Sequence, residues 1–298
     1  MVEKVKTFPG DAPQEPIAVN TALTAWPVPA PPFTSGPLRH ASGLQSGSDS
    51  VLHASQVHAL MQACCDPQGQ PERLLRAWAD AGTDWEDIYL QGVVGAAQLL
   101  GDLWVSDRLD FVAVSIASTR LQQTLYDLSP TFLSHAHEAH NGLSALLMCS
   151  PGSQHSMGVF MLGEFFRRAG WRVCGSPLMD AESAVRLVQS DWLDVLGLSL
   201  GSERCMVSAA SLIRDVRRAS ANPALKIMVG GPMLALARDC MGKLGADFIG
   251  ADARESLRLA SQYVRQDPTS KLDHRYRDNI INTPGRMPAL TLVERDAV

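Results

Sequence analysis

Residues 143–177 read LSALLMCSPGSQHSMGVFMLGEFFRRAGWRVCGSP. An apolar run, Leu143 to Cys149, is followed by small and polar residues. An amphipathic stretch comes next, then a glycine, then a second apolar run at Trp171. Continuous apolar strands joined by helical stretches belong to parallel sheets covered on both faces. The same alternation continues downstream. Helices are expected near Met157–Ala169, Ala181–Gln189, Met206–Arg218, Met233–Lys243 and Arg254–Arg265. Strands are expected at DVLGLSL, LKIMVGG and ADFIGAD. The pattern is (βα)5, an α/β flavodoxin- or Rossmann-like parallel sheet spanning 142–266. Ligands of such sheets bind beyond the carboxyl ends of the strands, at the switch point. His155 follows the first strand and therefore borders that edge.

Upstream, residues 51–130 are periodic at three and four, the helical spacing. Pro71 can open one helix, Gly82 can close it, and Asp84 can cap the next. A fourth helix steps through Phe111, Val114, Ser118, Leu121, Leu125 and Leu128, with Pro130 expected to stop it. Four short-linked helices predict a bundle-like cap. Gly92, Gly95 and Gly101 in the third helix call for close approach by a neighbouring helix or a ligand. Residues 1–50 are rich in proline and small residues without a period, a composition that predicts disorder. Residues 131–141 read as a polar linker, and 267–298 as a tail without a clear period.

Composition narrows the function. The 298-residue chain has a formal net charge of −5, with 19% charged and 46% hydrophobic residues. Bulk charge will not draw it onto phosphate backbones. Six cysteines, none in a CxxC pair, suit reduced thiols. There is no run of 18 consecutive apolar residues and no signal-peptide core, so a cytoplasmic location is expected. A phosphate-binding GxGxxG is missing from the first strand–helix turn. No GxSxG elbow surrounds Ser153, which disfavours a hydrolase.

Three strand ends carry the remaining signal. The first offers Ser153, Gln154, His155, Ser156 and Gly158. The third offers Ser199, Leu200 and Gly201. The fourth offers Gly230 and Gly231. One metal-capable imidazole thus stands among residues small enough for a planar ligand to reach backbone. This set resembles the DxHxxG…SxL…GG pattern of cobalamin-binding Rossmann-like domains. The resemblance implies that His155 ligates cobalt from below, while Ser199, Gly230 and Gly231 line the slot for the nucleotide tail. Gln154 and Ser156 would meet the corrin amides or only complete the turn. Two positions depart from the pattern. Ser153 stands where a carboxylate normally orients the imidazole. Gly201 stands where a leucine is usual, which predicts a wider slot.

The segment LGDLWVSDRLDF resembles the cap segment that lays a bulky side chain over the upper corrin face, with Trp104 as the candidate. No segment is long enough for a mutase barrel, and no DNA-binding module is present. An irregular N-terminal extension, a tryptophan-bearing cap and a cobalamin domain together resemble the AerR/PpaA antirepressors. That resemblance implies a non-enzymatic, light-responsive regulator acting through a CrtJ/PpsR-type repressor, with adenosyl-, methyl- or hydroxocobalamin bound. The alternative is a corrinoid methyl carrier. His135, His137 and His140 form HxHxxH in the linker, read as solvated histidines or as a zinc or second cobalt site.

Overall fold

The computed structural model describes residues 52–134, 136, 140–233 and 242–266. The expected N-terminal extension and tail lie outside the described residues. So do His135, His137 and most of the helix expected at Met233–Lys243.

Four helices come first: α1 Ala54–Cys65, α2 Pro71–Asp80, α3 Trp85–Val105 and α4 Phe111–Ser134. Pro71 opens α2. Asp84 caps α3 by accepting from the Glu86 N–H at 2.8 Å. Within α3 the helix widens to π geometry over Ile88–Val93. Mean hydropathy over an 18-residue window of α3 is 1.2, enough by length and composition to cross a membrane. Here α3 is the central helix of the cap, with Ile88, Tyr89, Val93 and Ala96 fully buried. Two of its three glycines answer to neighbouring helices, while Gly101 has open space where a Cβ would be, against the expectation. A Cβ at Gly95 would lie 2.8 Å from Val57 on α1, and one at Gly92 would lie 3.0 Å from Trp78 on α2.

Two expectations for α4 are corrected. The helix does not stop at Pro130 but runs through it to Ser134, into the stretch expected to be linker. Proline removes one helical hydrogen bond. Tertiary packing outweighs that loss, because Phe132, two residues from the end, is completely buried in the cap core. Phe111, expected on the buried face, is 42% exposed; Ala117 and Thr124 are buried instead.

The second part is a parallel sheet: β1 Ser144–Cys149, β2 Arg172–Cys174, β3 Val195–Ser199, β4 Lys226–Gly230 and β5 Phe248–Ile249. Its order is β2-β1-β3-β4-β5 and every pairing is parallel. The crossovers use α5 Met157–Arg168, α6 Ala181–Ser190 and α7 Cys205–Ala219, and α8 Ala253–Gln266 follows β5. All six residues of β1 are buried. Alternate side chains serve opposite faces, as the two-residue period of a strand requires. Leu146 and Met148 join the core beneath α6 and α7. Ala145, Leu147 and Cys149 join the core beneath α5 and α8.

Cap and sheet share side chains. Met161 and Phe165 of α5 belong to the cap core. Phe132 stacks on Tyr89 with centroids 4.3 Å apart and meets Phe165 at 5.3 Å. The Arg168 guanidinium lies 4.8 Å from the Phe132 centroid. At the other end of the joint, Arg254 of α8 pairs with Glu86 at 2.9 Å and Asp87 at 3.0 Å.

Candidate functional site

Strand register builds the site. Cys149 pairs with Ser199, and Ser199 with Gly230, so β1, β3 and β4 end level with one another. The chain crosses outward from β1 to β2 on one side and from β3 to β4 on the other. The switch point therefore lies between β1 and β3. The β1–α5 turn, carrying Ser153 to Ser156, leaves the sheet there.

That turn is tied down at several points. The Ser150 N–H donates to Ser199 O at 2.9 Å, and the Ser208 hydroxyl donates to Pro151 O at 3.0 Å. The Cys149 thiol donates to His155 O at 3.5 Å. His155 is half-buried, and burial pulls its pKa below the ordinary histidine value. The neutral imidazole is therefore favoured near pH 7, and only the neutral ring has a lone pair to give a metal. Burial pushes the Cys149 thiol up to about 11, so it stands below the turn as a protonated, unreactive group.

Small residues surround the imidazole. A Cβ on Gly201 would lie 2.3 Å from Ser153 Oγ and 3.3 Å from His155 Cδ2, so Ser153, His155 and Gly201 form one group. Ser199, Leu200 and Gly231 form another, since a Cβ on Gly231 would lie 2.6 Å from Ser199 Oγ and 3.0 Å from Leu200 N. Gly231 has φ +97°, which only glycine adopts without strain. Gly230 packs against the Gly250 carbonyl, 3.0 Å from where its Cβ would be. Gly250 was missed by sequence reasoning, although it ends the β5 run and its position there was the available signal.

The remaining candidates are placed as follows. Ser156 is buried, and Gln122 Nε2 of α4 donates to its hydroxyl at 3.5 Å. The same Gln122 amide donates to Tyr126 Oη at 2.7 Å. Gln122 thus brings the cap to the His155 turn, a contact no local pattern signalled. Gln154 is exposed, and its carbonyl accepts from the Ser156 N–H at 2.9 Å. Gly158 is exposed in the first turn of α5 with open space where a Cβ would be. Trp104 is half-buried in the last turn of α3, just before exposed Val105. Trp78 and Trp85 are buried cap-core residues. No metal-holding cluster of three or more His, Cys, Asp or Glu occurs among the described residues.

A half-buried imidazole at the switch point of a parallel sheet, among serines and glycines and on a turn the cap touches, fits the donor a corrinoid's cobalt takes. Its donor type suits cobalt, and the small residues leave backbone within a ligand's reach. Residues 143–259 match the family model of the B12 binding domain. The chain is 27% identical over 169 residues to an uncharacterized 20.5 kDa protein of the bchF–crtJ intergenic region of Rhodobacter capsulatus. That match covers 56% of this chain and 86% of the relative. It is 32% identical over 166 residues to the HTH-type transcriptional repressor CarA of Myxococcus xanthus, covering 53% of this chain and 52% of CarA. The chain thus spans about half of CarA's length. The monomethylamine corrinoid protein of Methanosarcina barkeri has the same fold, with a TM-score of 0.58 at 16% identity, over 69% of this chain and 95% of that one. Residues 143–259 are thus similar in sequence to B12 binding domains, on a fold shared with a corrinoid protein.

Proposed function

We propose that this protein is a cobalamin-dependent, light-responsive regulator that acts by engaging a transcriptional repressor of the CrtJ/PpsR type, as AerR/PpaA antirepressors do. The observation that carries the reading is the half-buried His155 imidazole, seated at the switch point on a turn that Gln122 of the cap also touches. Similarity to a protein of a bchF–crtJ intergenic region and to the repressor CarA supports a regulatory role. Cobalamin, when bound, supplies a cobalt–carbon bond that light can break.

The chain's own residues do the rest. His155 would hold the metal. Trp104, at the end of α3, is the cap residue that the family resemblance would set against the bound group. Gln122 and Ser156 link the cap to the histidine turn. The Tyr89–Phe132–Phe165 stack and the Arg254 ion pairs join cap to sheet, so a shift of the cap changes the surface both present. A coupling of about 1–3 kcal/mol between cofactor state and repressor binding suffices for a five- to 150-fold switch.

The test is an absorption spectrum and a repressor-binding titration of protein loaded with adenosylcobalamin, kept dark and then illuminated. The proposal expects both to change on illumination, with a distinct spectrum in His155→Ala. Unchanged spectra and affinity, or methyl transfer to the cobalt(I) form with a partner methyltransferase, would replace the regulator by the corrinoid methyl carrier.

A further inference from the structure

Two glycines flank the end of β3, and they face different neighbours. Gly231, after β4, lies against Ser199 and Leu200. Gly201, after β3, lies against the β1–α5 turn. A Cβ at 201 would sit 2.3 Å from Ser153 Oγ, 3.1 Å from Ser153 Cβ and 3.3 Å from His155 Cδ2. The first distance is far inside contact, so the in-turned Ser153 side chain occupies the space that a side chain at 201 would need. Ser153 Oγ is also 3.5 Å from the His155 N–H. Nearer its start, the turn is held by Ser199 O and the Ser208 hydroxyl, at Ser150 and Pro151. At its end it is held by the Cys149 thiol on His155 O. The middle, Ser153, rests on Gly201.

We propose that Gly201 is a positioning residue for His155, acting through Ser153, and that it does not line the tail slot. The small residues at 153 and 201 act as a pair. A side chain at 201 would turn the Ser153 hydroxyl out and press on Ser153 Cβ at 3.1 Å and His155 Cδ2 at 3.3 Å, and this seating sets where the imidazole ring lies. The two departures from the DxHxxG and SxL patterns are therefore one substitution in physical terms: the space a leucine would fill at 201 is taken by the hydroxyl of residue 153. The inference rests on the cobalamin reading of His155.

The test uses the full-length protein loaded with hydroxocobalamin and reduced to the cobalt(II) form. Electron paramagnetic resonance then reports whether one imidazole nitrogen splits the cobalt signal. Wild type is expected to show the splitting. Gly201→Ala is expected to lower the histidine-bound fraction about tenfold or more, equivalent to about 1.4 kcal/mol. The double variant Ser153→Ala with Gly201→Ala removes the 2.3 Å collision with Ser153 Oγ and is expected to regain the splitting. Full splitting in Gly201→Ala overturns the proposal. So does a double variant no better than Gly201→Ala, in folding or in splitting. A wild-type protein that takes up no cobalamin, or takes it up without nitrogen splitting, instead overturns the cobalamin reading itself.

Discussion

Replacing Gly231 by alanine tests the strand-end edge at its tightest point. Its φ of +97° lies where an L-residue is strained, at about 1–2 kcal/mol. The new methyl would also stand 2.6 Å from Ser199 Oγ, 3.0 Å from Leu200 N and 3.1 Å from Leu200 O. The serine can rotate away. The Leu200 backbone cannot, because its N–H donates to Gly230 O at 2.8 Å. The turn after β4 must therefore move off β3, and overpacking of this kind costs about 1–3 kcal/mol. Together the expected destabilisation is about 2–5 kcal/mol. Urea unfolding of the cofactor-free protein measures it. A displaced Ser199–Gly231 edge should also weaken cobalamin uptake about tenfold or more, read by absorbance titration. Gly242→Ala is the control, since it is an exposed helical glycine with open space at Cβ. It should be neutral or stabilising by up to about 1 kcal/mol. If Gly231→Ala unfolds within about 0.5 kcal/mol of wild type and binds equally well, the close approach of the two turns is not what the edge depends on.

Phe132→Leu keeps an apolar side chain but removes the ring from Tyr89, Phe165 and Arg168. It should destabilise by about 2–4 kcal/mol, and urea unfolding should separate into cap and sheet transitions if these rings are the coupling. Arg120 donates to the carbonyl of Cys64 in the last turn of α1 and to those of Asp66 and Gly69 beyond it. Arg120→Met should cost about 2 kcal/mol by thermal unfolding, since the bonds come from a charged donor. Burial depresses the His155 pKa, so the unfolded chain binds more protons at this site as pH falls below the usual histidine value of about 6.5. This contribution to stability is present above that pH and is lost as pH falls through the depressed folded value. His155→Gln should therefore shrink the stability difference between pH 7.5 and pH 5.5 measured by urea unfolding.

Several features were legible from the residues alone because they depend on neighbours in sequence. Pro71 at the start of α2, Asp84 capping α3 and the apolar runs of β1 and β3 follow from local backbone chemistry and side-chain period. The candidate site was legible as a set of strand ends, since any residue after a parallel strand emerges on the same edge. The path of α4 was not. Pro130 is a local stop, but Phe132 finds a buried place against Tyr89 and Phe165, which lie 43 and 33 positions away in the chain.

The amino-acid order by itself determined that apolar strands and amphipathic helices alternate, and that one histidine and several serines and glycines gather at the carboxyl ends. Those features arise from period and chain direction, which need no distant partner. Only the tertiary structure decided which glycine faces which neighbour: Gly201 beneath Ser153 and His155, Gly231 beside Ser199 and Leu200. It also decided that Gln122 is the cap side chain meeting the histidine turn. Strand register and helix docking set these pairings, and both depend on long-range packing that no local stretch of residues encodes.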